Sequence, residues 1–79
     1  MLDIVQITRF FELVDGTRYA TLWERLPNIA DDYSQTIEEH GHKRIVFPPG
    51  RLVGLLNVLS TDAPSTQKYR DEALAFLRA

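Results

Sequence analysis

The chain has 79 residues, enough for one domain with a small core, and its composition of 44% hydrophobic and 25% charged residues is that of a folding globular protein. It has no cysteine, which excludes disulfide staples, zinc-thiolate sites and thiol nucleophiles. Its net charge of −2 gives no general attraction to phosphate. No apolar run approaches the roughly 18 residues of a membrane span, and no basic leader opens the sequence, so a soluble, cytoplasmic protein of a single domain, residues 1–79, is expected.

Ile7 to Glu24 fits two templates. As a β-hairpin, ITRFFELV and TRYATLWE flank Asp15-Gly16, a dipeptide suited to a type I′ turn. As a helix, Ile4, Ile7, Phe11 and Val14 share one face, with Asp3 to cap the start and Gly16 to close the end. The abundance of Thr, Val, Ile, Phe, Tyr and Trp in both arms favours the hairpin. Ile7, Phe11, Leu13, Ala20 and Leu22 then form an aliphatic face, and Phe10, Tyr19 and Trp23 an aromatic one.

Leu26-Pro27-Asn28 ends the second arm, since proline cannot donate to a ladder. Asp31-Asp32 could cap a short helix closed by Gly41. The preferred alternative is a third strand, Ser34 to Glu39, turning at Gly41 to pair with Lys43–Phe47. Next comes the clearest signal in the chain. Ile45-Val46-Phe47 reads as a strand, Pro48-Pro49 stops it, and Leu52, Leu55, Leu56 and Leu59 recur at i, i+3, i+4, i+7. Pro49 suits the first helical position, and Phe47 is placed to pack on Leu52 as a hydrophobic staple. TDAPS, residues 61–65, breaks this helix. Tyr69, Ala73, Phe76 and Leu77 then form the apolar stripe of a last helix, opposite Arg70, Asp71 and Glu72. The expected fold is α+β: an antiparallel meander of three or four strands followed by two C-terminal helices, with a small all-α bundle as the alternative.

Few residues form a chemical constellation. Glu38, His40 and His42 could ligate a metal from one strand, but Gly41 breaks the strand and no further ligand completes a tetrahedral set, so a polar turn is favoured. The two histidines are neighbours in that turn, with Ser34, Ser60 and Ser65 elsewhere, which supports no triad. Asp31/Asp32 and Glu38/Glu39 are adjacent pairs, which on a strand point to opposite faces. Pro48-Pro49-Gly50 with Arg51 could receive an anion at a helix start, but it lacks P-loop or dinucleotide spacing and is more simply a rigid turn. Neither an enzyme, a cofactor nor a small-molecule substrate is expected. An acidic segment, residues 31–39, and a basic one, residues 43–51, complement each other within the fold.

Phe10, Tyr19 and Trp23 are the sharpest functional feature. Rings exposed on a sheet anchor protein interfaces or stack bases. With Arg25, Lys43 and Arg44 they make the candidate partner-binding set. The expected function is a small non-enzymatic protein-binding module of the inhibitor, immunity or mobile-element accessory kind. Its partner is another protein or a second copy of the chain. The alternative is a single-stranded nucleic-acid-binding domain with a sheet platform and C-terminal helix.

Overall fold

The computed structural model describes residues 1–78. Over them the chain forms α1 (Ile4–Asp15), α2 (Tyr19–Arg25), α3 (Pro27–Tyr33), β1 (Gln35–Glu39), β2 (His42–Val46), α4 (Pro49–Leu59), a 3-10 turn (Pro64–Thr66) and α5 (Gln67–Leu77). The mixed helix-and-sheet character is as expected, but the architecture is not. Among the described residues there is one two-stranded antiparallel sheet in place of a three- or four-stranded meander. The helices carry the core, and α4 and α5 are two of five that pack together and not a pair closing a sheet.

The hairpin expected over Ile7 to Glu24 is corrected to α1 and α2. A reciprocal capping box starts α1: the Asp3 carboxylate accepts from the Gln6 backbone N–H at 2.8 Å, and the Asp3 N–H donates to the Gln6 side chain at 3.0 Å. Ile7, Phe10 and Val14 then fall on the buried face at i, i+3, i+7. On strands, Phe10 and Phe11 would have pointed to opposite sides. On the helix both turn toward the interior, with ring centroids 5.2 Å apart edge to face, and Phe10 meets Phe76 of α5 at 5.8 Å. Strand propensity thus yields to packing, as it commonly does. Ile4, placed on the helical stripe in the alternative reading, is 75% exposed instead.

Asp15-Gly16 is correspondingly a helix end. Gly16 has φ −93°, outside the left-handed region that a type I′ turn requires, and its N–H donates to the Glu12 carbonyl at 3.3 Å. Leu26-Pro27-Asn28 is a joint between helices. The Leu26 N–H closes α2 on the Leu22 carbonyl at 2.7 Å, the Leu26 carbonyl accepts from Ala30 at 2.8 Å, and Pro27 occupies the first position of α3.

The type I′ turn of the molecule lies at His40-Gly41, with φ of 52° and 79°. It joins β1 to β2 in the register Gln35↔Val46, Ile37↔Arg44 and Glu39↔His42, close to the pairing the sequence suggests around Gly41. Pro49 opens α4 as its first residue, and Leu55 and Leu59 are fully buried. Leu52 and Leu56, one turn around the same helix, are only half-buried and border a groove.

The polar face expected on α5 is corrected at two positions. Arg70 is 1% exposed: its guanidinium donates to the Val58 carbonyl and the Thr66 hydroxyl, both at 2.8 Å, to the Gln67 side chain at 3.0 Å, and to the Ala63 carbonyl. It thereby satisfies backbone at the end of α4 that TDAPS leaves open. Glu72 is half-buried and reaches back to α3, where its carboxylate accepts from the Asn28 N–H at 2.9 Å and the Ile29 N–H at 3.0 Å.

Candidate functional site

Helix α1, strand β2 and helix α4 enclose an open groove of about 640 Å³. Its apolar floor comes from Phe11, Ile45, Val46, Phe47, Leu52 and Leu56. Phe11 and Phe47 meet edge to face at 5.4 Å and tie α1 to the end of β2. Phe47 and Leu52 border the same groove. Residues 44 to 47 border it consecutively, although neighbours on a strand point to opposite faces. It is therefore the outer edge of β2, main chain included, that faces the groove.

That edge is open. With Glu39 and His42 flanking a two-residue turn, the pairs alternate from hydrogen-bonded at Glu39/His42 to non-bonded at Glu38/Lys43. Lys43 and Ile45 accordingly turn their N–H and C=O groups away from β1. Among the described residues no backbone hydrogen bond joins β2 to any other element. Pro48 ends the edge, since it has no N–H to offer.

The rim is charged unevenly. Glu12 and Asp15, one helical turn apart near the end of α1, stand on the wall opposite β2, and neither has an ion-pair partner among the described residues. The last turn of α1 has no basic residue, so the negative end of the helix dipole adds to the two carboxylates. On the other wall Arg44 is engaged with Glu39 of β1 at 3.9 Å. Past the groove, α1's outer face carries Ile4 and Val5, exposed at 75% and 72%.

The six residues expected to bind a partner do not form one surface. The aromatic sheet face is corrected, since Phe10 lies in α1 and Tyr19 and Trp23 in α2, so that none of the three is a strand residue. Phe10 is 0% exposed, a core residue that no partner reaches. Arg25 is occupied inside the molecule: its guanidinium stacks 4.7 Å from the Phe76 ring and donates to the Ala75 and Phe76 carbonyls at 3.1 and 3.3 Å, capping the end of α5. Tyr19, Trp23 and Lys43 do come together. Tyr19 and Trp23 are half-buried with centroids 6.2 Å apart, and the Lys43 ammonium lies 5.9 Å from the Tyr19 ring. The Trp23 indole N–H is buried without an acceptor. Arg44 alone of the six borders the groove.

The sequence reading missed Thr8, Glu12, Asp15, Leu52 and Leu56 as a set, because they converge only once residues 4–15 are helical. The one local signal was Glu12 and Asp15 at i, i+3 with no base in the same turn.

The other constellations resolve as structure. No group of three or more His, Asp or Glu residues is placed to hold a metal among the described residues. The Arg51 guanidinium donates to the Ser34 carbonyl at 2.7 Å, bracing α4 against the α3–β1 joint. The Tyr69 hydroxyl donates to the Asp32 carboxylate at 2.5 Å, which holds the tyrosine well above its ordinary pKa, with burial adding to the effect. No described helix is long and apolar enough to cross a membrane. No protein-family model, curated protein or solved structure matches this chain.

Proposed function

We propose that the chain is a small non-enzymatic protein-binding module, of the accessory or inhibitory kind, that receives a partner protein in the groove between α1, β2 and α4. The observation that carries this reading is the groove itself: six apolar side chains only partly buried around an unpaired strand edge. A domain of this size gains stability by burying such surface, so leaving it open favours an interface. Ile4 and Val5 extend the apolar surface along the outer face of α1.

The test is Thr8→Arg. Thr8 is an exposed residue of α1 on the groove wall, and arginine is a good helix former, so the fold is preserved while a long charged side chain blocks the groove. Affinity capture from lysate of the source organism is compared for the wild type and this variant, with circular dichroism to check the fold. A partner retained by the wild type and lost by Thr8→Arg supports the reading. A partner held equally by both places the function elsewhere on the surface.

A further inference from the structure

We infer that the occupant of the groove is an extended segment of a foreign protein, which adds to β2 as a third strand and carries a lysine or arginine at the end beside Glu12 and Asp15. This rests on the protein-binding reading above and specifies its ligand.

Strand addition follows from the edge. The outward N–H and C=O groups of Ile45 face the groove, with no backbone partner on that side, and an extended chain satisfies them with its own backbone. The bordering run from Arg44 to Phe47 is about 13 Å long at roughly 3.3 Å per residue, which suits an insert of four or five residues. Alternate side chains of such an insert face the floor made by Phe11, Leu52 and Leu56, so apolar residues are wanted at every second position.

The charge preference follows from the rim. Two unpaired carboxylates and the negative end of α1 face the groove from one side and outweigh the single guanidinium of Arg44 opposite them, which also lies 3.9 Å from Glu39. A cationic side chain is therefore attracted and an anionic one repelled.

The same asymmetry argues against a second copy of the chain. The Phe11–Phe47 contact sets the middle of α1 at the C-terminal end of β2, and the Lys43–Tyr19 contact sets the start of α2, which follows the acidic end of α1 after a short turn, near the N-terminal end of β2, so that α1 runs antiparallel to the strand. A two-fold pairing of β2 with its copy is antiparallel. It would lay the copy's Lys43 and Arg44 over the phenyl rings and its Phe47 beside Glu12 and Asp15, mismatching both ends.

The probe is a displayed library of random heptapeptides panned on the full chain. The expected winners have Val, Ile or Phe at alternate positions and Lys or Arg toward one end. They bind Thr8→Arg at least about tenfold more weakly. The double variant Glu12→Lys/Asp15→Lys should weaken them by about fivefold per charge and, when panned afresh, select Asp or Glu in place of the base. Both positions are exposed, and lysine near a helix C-terminus favours the helix, so loss of folding does not explain such a result. N-methylation of a winning peptide should abolish binding at residues of one parity and spare the other, as a strand ladder requires.

Apolar winners that Thr8→Arg weakens but that show no charge preference, or no parity in the N-methyl scan, overturn this inference and leave the protein-binding reading standing. Winners indifferent to Thr8→Arg overturn both. A dimer in sedimentation equilibrium that Thr8→Arg dissolves, or a single-stranded oligonucleotide whose binding it abolishes, overturns the inference by assigning the groove a different occupant.

Discussion

Glu72 offers the sharpest test of how the helices are held together. Helix α3 has seven residues and starts without a capping side chain of its own, because Leu26 stands at the cap position. Its N–H groups at Asn28 and Ile29, which have no partner within the helix, are met instead by the Glu72 carboxylate of α5, at 2.9 and 3.0 Å, and the Asn28 side-chain amide donates to the same group. A lost cap costs about 1 kcal/mol, and removing a favourable charge from a helix N-terminus costs about 0.3–1. The two donors are part-buried, so stranding them raises the expected cost of Glu72→Ala to about 2–3 kcal/mol. A domain of this length has a net stability of about 4–12 kcal/mol, so the midpoint of thermal unfolding should fall by roughly 10–20 °C. Glu72→Gln keeps one acceptor oxygen but loses the charge and should cost about 1 kcal/mol. Urea denaturation followed by circular dichroism reads both variants, with the m-value checking that the unfolded state is unchanged. The reasoning is refuted if Glu72→Ala lies within 0.5 kcal/mol of the wild type, on the order of an ordinary surface change, or if Gln costs as much as Ala.

Three further outcomes are expected. Leu55→Ala, at a fully buried position, should cost about 3–5 kcal/mol, whereas Leu56→Ala, on the groove wall, should cost under about 1.5 and reduce partner binding; equal costs by denaturant titration would contradict the difference in burial. Gly16→Ala should be tolerated or mildly stabilising, since φ is −93° and the added methyl meets only carbonyl oxygens at 3.8 and 3.9 Å, while Gly41→Ala, at φ 79°, should cost about 1–2 kcal/mol and loosen amide protection across β1 and β2. Tyr69 has its pKa raised in the folded state by its bond to Asp32, so the folded protein holds this proton more tightly than the unfolded one; its stabilisation is complete below about pH 10 and is lost as pH rises beyond it. Tyr69→Phe should abolish that part of the alkaline loss of stability, and an unchanged pH profile from pH 8 to 11 would show that the bond does not form in solution.

What the sequence determined by itself lies where the deciding interactions are short in range. Pro49 can open a helix because its missing N–H has no role there, and Leu55 and Leu59 mark the buried face of α4 by spacing alone. The hairpin around Gly41 is equally local, since a two-residue turn with both φ angles positive sets the register of its arms. The apolar stripe of α5 is legible too, with Tyr69, Ala73 and Phe76 all buried. Residues 7–24 were not legible in this way. Thr, Val, Phe, Tyr and Trp suit either template, and the choice fell to what else could cover the rings: Phe10 closes against Phe76, sixty-six positions away. The same holds for the polar residues of α5. Nothing within a few positions of Arg70 or Glu72 distinguishes a solvated side chain from one that completes the end of α4 or the start of α3, because the open backbone groups they satisfy belong to other helices. The groove is tertiary in the fullest sense. Its floor and its charged rim come from three elements separated along the chain, and only the packing of α1 beside β2 and α4 sets an apolar strand edge facing two unpaired carboxylates.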